Sequence, residues 1–269
     1  KKFNKKSKEK DNYIFENSFL PNNSNSYKDI SIYGYVKDHI RNELVVPYTK
    51  SSHLVRFMFK DDDNTCCKCL IKKYSKFQKT IIPAVINRLK ELFEVYYLPL
   101  KRVILQDPER NKNYYYLLYR LIGNKQFFYN INDNEEIIFC SKKLIYEFLK
   151  NIAFRYVIGT NISSYNTILL TDNKDNDFNI LSYEENILCM DNTIKFPEVI
   201  KKRVKCYLDY IDEVAYTWKK ISYEDIYNII ATYYPTDMST EVKIKTRYII
   251  SKIVNLNNNS DHFKKLILE

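Results

Sequence analysis

Gly159-Thr160-Asn161-Ile162-Ser163-Ser164-Tyr165-Asn166-Thr167-Ile168-Leu169 is the stretch on which the reading of the whole chain turns. Before it, Ser141 stands where it can cap a helix running to about residue 157, and Gly159 is the residue type that stops one, because it enters the left-handed region without a Cβ penalty. After it, residues 167–170 and 178–183 read as two short strands around the polar turn 172–177. The local order is helix, polar loop, hairpin.

Working outward toward the N-terminus, runs 53–60 and 65–74 are extended and flank Asp61-Asp62-Asp63-Asn64, a turn that closes a hairpin. Residues 80–97 carry helical spacing, with Ile82, Val85, Ile86, Leu89, Leu92, Phe93 and Tyr96 on one stripe, Thr80 as cap, Pro83 in the first turn and Pro99 as the stop. Runs 101–105 and 114–121 read as a second strand pair that finishes near Gly123, and 127–129 with 137–140 as a small hairpin around Asn132-Asp133-Asn134. Beyond Pro197 the spacing is helical over 198–221, 223–234, 240–254 and from Asp261 onward. The expected division is a flexible basic arm (1–29), a small sheet-plus-helix lobe (30–123) and a mainly helical lobe (124–269) that holds the loop and its hairpin. The fold class is α+β.

Composition narrows the chemistry. Of 269 residues only three are glycine, and both the Walker A loop and the Rossmann GxGxxG are absent, so no glycine-rich phosphate cradle is available. Three histidines in unrelated contexts argue against a multi-histidine metal centre or a Ser-His-Asp triad. The net charge of +10 points toward an anionic partner, although a chain rich in Lys, Asn, Ile and Tyr acquires lysines from AT-rich coding whatever its task. No apolar run reaches the roughly 20 residues that span a bilayer. Residues 1–10 are basic and no apolar segment follows them, so they are not expected to be a secretory signal; the missing Met at position 1 marks the chain as processed or a fragment. Six cysteines, three of them crowded at Cys66, Cys67 and Cys69, are not the framework of a secreted domain and point to a reducing, intracellular compartment. They read as zinc thiolates or, more simply, as small strand hydrophobes, since CCxC is not the CxxC pair of common zinc sites.

A small antiparallel sheet holding one helix, then a helix, a loop, a hairpin and a helical remainder is the order of a two-lobed protein-kinase-like fold. Gly159 to Leu169 resembles the catalytic loop of phosphatidylinositol-kinase-like and atypical kinases, in which an aspartate stands five residues before a metal-binding asparagine. Asn166 matches the asparagine, while Asn161 occupies the aspartate position. Asn179-Ile180-Leu181-Ser182-Tyr183-Glu184-Glu185-Asn186 resembles the strand that ends in the family's metal-binding Asp-Glu pair, with Tyr183 at the aspartate and Glu184 one residue later. The arrangement is similar to kinase-like proteins of nucleocytoplasmic large DNA viruses, whose AT-rich composition the chain shares.

Phosphoryl transfer needs Mg²⁺ held by an Asp and an Asn, and a carboxylate that orients the attacking hydroxyl. Neutral Asn161 accepts no proton, and the Tyr183 phenol, with a pKa of about 10, is a poor Mg²⁺ ligand. Cys69-Leu70-Ile71-Lys72 has the form of the strand that carries the phosphate-binding lysine, with Lys72 or Lys73 in that place. Its helix partner should be Glu91 or Glu94, yet at 100° per residue both fall roughly 140–160° from the centre of the apolar stripe, toward solvent. The only nearby glycine is Gly34.

The resemblance therefore implies a degraded, catalytically inactive kinase-like protein, a pseudokinase, that acts as a binding or structural component with a protein partner, in the host cytoplasm or virion of a large DNA virus. No cofactor is expected; were nucleotide binding retained, Lys72 would contact the ATP phosphates and Asn166 would hold Mg²⁺, with Glu184 or Asp177 as a further ligand. A different class of reading is a basic nucleic-acid-binding or virion-packaging protein using Lys201, Lys202, Arg203 and Lys205 at a helix start, with Lys243, Lys245 and Arg247 on another helix. Such charge runs are also ordinary solvated helix faces. The third reading is an active atypical ATP-dependent phosphotransferase whose acids lie elsewhere.

Overall fold

Residues 13–15, 45–49, 52–60, 66–98, 100–107, 112–120, 127–130, 141–160, 168–172, 178–182 and 196–269 are described by a computed structural model of the chain. Its contacts separate two units, one of residues 1–84 with 98–124, the other of 85–97 with 125–269.

The first unit carries strands β1 (Tyr13–Phe15), β2 (Val45–Thr49), β3 (Ser52–Lys60), β4 (Cys66–Tyr74), β5 (Leu100–Asp107) and β6 (Lys112–Arg120), in the sheet order β1-β5-β6-β4-β3-β2. Every pairing is antiparallel. The two expected strand pairs form, each with bounds shifted by a residue or two. Two strands were not anticipated. Tyr13-Ile14-Phe15, inside the stretch read as a flexible arm, pairs with Val103–Leu105, because an apolar, β-prone tripeptide can use the open edge of β5. In β2, Pro47 argues against a strand, but β2 lies at the sheet edge, where a missing N–H costs no ladder bond, and the register slips between Pro47 and Thr49.

A 3-10 turn, Phe77–Thr80, leads into helix α1 (Ile81–Leu92), with Pro83 in its first turn as expected. Ala84, Val85, Ile86, Leu89 and also Asn87 and Lys90 are buried, so α1 is enclosed over most of its circumference rather than along one stripe. It stops well before the expected residue 97. The Val95 N–H reaches back to Lys90 O at 2.8 Å and the Glu94 N–H to Glu91 O at 3.1 Å, a Schellman turn with Glu94 at φ 54°. The expected lobe boundary left this helix with the sheet, whereas residues 85–97 belong with the second unit. The Phe93 ring meets Phe154 and Trp218 edge-on at 5.4 and 4.9 Å, and Trp218 Nε1 donates to Phe93 O at 3.0 Å.

The second unit contains β7 (Phe127–Asn130), α2 (Lys142–Ile158), β8 (Ile168–Asp172), β9 (Phe178–Ser182), α3 (Glu198–Val204), α4 (Tyr210–Trp218), α5 (Tyr223–Tyr233), α6 (Ser239–Asn258) and α7 (Ser260–Leu268). The expected partner of β7, residues 137–140, lies outside the described residues; among these β7 pairs with β8, giving the order β7-β8-β9. From Asn151 to Ile158 every residue of α2 is buried, which makes it the axis of the unit, packed against β9, α4 and α6. The stretch 198–221, expected as one helix, is broken: α3 tightens into the 3-10 turn Lys205–Tyr207 and α4 starts anew. Ser222 and Asp225 form a reciprocal capping box that starts α5. Among the described residues no helix is long and apolar enough to cross a membrane.

Candidate functional site

Lys72 lies on β4, in register with Leu54 of β3 and Leu117 of β6, and Lys73 is in register with Tyr116. Both are thus on an interior strand of the six-stranded sheet. Asn161, Asn166, Asp177, Tyr183 and Glu184, with Gly34, lie outside the described residues. The flanking frame is described: the end of α2 before the loop, and β8 and β9 up to Ser182.

At the end of α2 the Gly159 N–H donates to Tyr156 O at 3.3 Å and the Thr160 N–H to Arg155 O at 3.0 Å, with Gly159 at φ 69°. This is the same turn that closes α1, here with the residue that adopts it without strain. A Cβ on Gly159 would lie 2.7 Å from the Tyr248 hydroxyl and 2.8 Å from its ring, so α6 approaches the start of the loop as closely as glycine permits.

β9 is an edge strand, and its outward backbone groups are satisfied by side chains rather than by another strand. The Ile180 N–H donates to Glu147 Oε2 at 2.9 Å. Ile180 O accepts from Asn151 Nδ2 at 3.4 Å, the same amide donates to Glu147 O at 3.0 Å, and the Ser182 hydroxyl donates to Asn151 Oδ1 at 2.7 Å. Lys143 Nζ donates to Phe178 O at 3.3 Å. The last of these outward groups, Ser182 O, accepts from Lys90 Nζ of α1. Glu147 and Asn151 are one helical turn apart, as are Lys143 and Glu147, so three side chains on one face of α2 run along the strand.

Lys90 was not singled out by sequence reasoning, which weighed only the helix acids. Its position carried the signal, since it stands four residues after Ile86 and three before Phe93, on the apolar stripe. The acids behave as the spacing predicts for Glu94, which is exposed; Glu91 is half-exposed and paired with Arg88 one turn earlier. At the residue preceding Tyr183, the charged group that α1 presents is an ammonium only 3% exposed, not a carboxylate.

The basic positions divide. Lys202, Arg203 and Lys205 are exposed around the buried Ile200 and Val204, whereas Lys201 donates to Glu269 O at 2.6 Å and lies 3.8 Å from Glu198. On α6, Lys243 and Arg247 are exposed, but Lys245 is buried and sits 3.1 Å from Glu241, which removes it from the expected basic face. Among the described residues no group of three His, Cys, Asp or Glu side chains could hold a metal ion.

No protein-family model matches the chain. No curated protein matches it. Among solved structures it is similar to the Helicobacter pylori proinflammatory kinase CtkA, with 10% identity, a TM-score of 0.46, and coverage of 82% of this chain and 96% of that one.

Proposed function

We propose that the chain is a kinase-like protein that no longer transfers phosphate and serves as a binding or structural component with a protein partner, in the reducing intracellular setting of a large DNA virus. The observation that supports this reading best is Lys90. A working kinase sends a carboxylate from its helix toward the phosphate-binding lysine, and gathers acids at the strand end to hold Mg²⁺. Here the buried charge that α1 brings to the end of β9 is positive. The neutral Asn161 and Tyr183 at the two aspartate positions point the same way.

Thermal unfolding with ATP, with ATP and Mg²⁺, and alongside an ATP-turnover assay tests the reading. A ligand at 100 times its Kd adds about 2.7 kcal/mol, and each kcal/mol moves the midpoint of a chain this size by roughly 2–4 °C. The expected result is no Mg²⁺-dependent rise and no turnover. Turnover lost on Asn166→Ala would instead establish an active atypical phosphotransferase, with Lys72 and Asn166 as its phosphate and metal contacts.

A second reading is favoured by Lys202 and Arg203 on α3 and Lys205 in the 3-10 turn that follows it, all exposed. If they contact nucleic acid, duplex DNA raises the midpoint at low salt and loses that effect at high salt, because each neutralised phosphate releases a counterion.

A further inference from the structure

The second unit contains a groove of about 590 Å³ between the segment that follows α1, the first half of α2, and Tyr210 of α4. This volume lies within the range of small-molecule sites. The groove's lining includes Lys143, Glu147 and Asn151, the side chains that hold β9, but none of the positions Lys72, Asn161, Asn166, Tyr183 or Glu184.

Its polar groups are unequally satisfied. Glu147 is committed, accepting from the Ile180 N–H and lying 3.8 Å from Lys143. Glu94 is exposed at the rim, 3.9 Å from Lys150 Nζ, beyond hydrogen-bond distance. Among the described residues neither the Lys150 ammonium nor the Tyr210 hydroxyl has a hydrogen-bond partner, although both side chains are partly withdrawn from water. Burial lowers the Lys150 pKa, opposed by Glu94 and Glu147, and raises that of Tyr210. Four donor hydrogens, three on the ammonium and one on the phenol, thus belong to groups lining the groove. The aromatic lining is ordered as well. Tyr146 and Tyr210 stack in parallel, with centroids 3.9 Å apart and planes 4° from coincidence, and Tyr97 completes the wall.

We propose that this groove is a binding site for a small organic anion, a carboxylate or phosphate carried on a flat apolar body. Lys150 and Tyr210 donate to the anionic group, and the flat body lies against the tyrosines, extending their stack. A cation would find Glu147 already accepting from the Ile180 N–H and would have to approach the Lys150 ammonium.

The test is a titration of the full chain by calorimetry with indole-3-acetate, with indole-3-ethanol and tryptamine as neutral and cationic counterparts of the same ring, and with phenyl phosphate as the second anion. Saturable binding of at least one anion is expected, with the alcohol and the amine about tenfold weaker or worse, since a hydrogen bond to a charged group is worth about that much. Preference between indole-3-acetate and phenyl phosphate identifies which anion the site takes. Lys150→Met should weaken anion binding by about tenfold or more and Lys150→Arg should restore part of it, while Tyr210→Phe, which keeps the ring, should cost several-fold. Equal affinity for the three indoles, tightest binding of tryptamine, no saturable binding of either anion, or unchanged affinity in a folded Lys150→Met protein would each overturn the proposal.

Discussion

Helix α2 is buried by two different kinds of chemistry. Toward β9 it offers Lys143, Glu147 and Asn151, whose atoms meet backbone groups of the strand one by one. Further along, Phe154 belongs to an aromatic cluster with Phe93 and Trp218 that has a single hydrogen bond, from the indole to Phe93 O. The first surface specifies register, because a shift of one residue along β9 would leave its outward N–H and C=O groups unmatched. The second specifies volume. Rings at 4.9 and 5.4 Å tolerate small rotations but not a hole.

Substitutions can break that contrast or sharpen it. Trp218→Ala should have the largest effect, a loss of about 4 kcal/mol in denaturant unfolding, from the cavity it leaves and the stranded Phe93 carbonyl. Trp218→Phe, which keeps most of the volume, should recover more than half of that if volume is what this surface specifies. Asn151→Leu should cost about 3 kcal/mol although leucine fills the space, because Ile180 O and the Ser182 hydroxyl lose partners inside the protein. If Asn151→Leu proves nearly neutral, the polar surface is only another apolar one and the contrast fails.

The two Schellman turns give a finer comparison within the same unit. Gly159→Ala should cost about 2 kcal/mol, through the left-handed backbone and the crowding against Tyr248. Glu94→Gly should do the reverse and stabilise by about 0.5–1 kcal/mol, because Glu94 holds φ 54° without glycine's freedom. This gain is reduced by whatever the long-range Lys150 pair contributes, which at 3.9 Å and a rim position is a few tenths of a kcal/mol. Paired thermal melts of the two variants should therefore move in opposite directions.

These turns also show what was legible in the sequence. Gly159 announces its turn, and the end of α2 falls where the glycine placed it. Glu94 announces nothing, so the spacing of Tyr96 and the stop at Pro99 extend the expected helix to residue 97. The hairpin β3–β4 was readable because a run of four polar residues separates two extended stretches, whereas the pairing of β7 with β8 joins residues about forty apart and has no local signature. The break after α3 lies in Lys205-Cys206-Tyr207-Leu208 without glycine or proline, and periodicity alone runs straight through it. At the site, the departures at Asn161 and Tyr183 could be read directly from the residues. Lys90 carries no such mark in the sequence, since its meaning comes from the Ser182 carbonyl, 92 residues away.

The side chains that line β9 have a consequence for recruitment. Many proteins capture an extended peptide by adding it to an open sheet edge, where unpaired N–H and C=O groups act as a template. On β9 that template is already occupied at Phe178, Ile180 and Ser182, so no guest strand can zip onto it while α2 and Lys90 hold their places. The six-stranded sheet has β2 at one edge, where Pro47 lacks the donor a guest would need. A partner of this protein must therefore recognise surface side chains rather than borrow its hydrogen-bond ladder at either place.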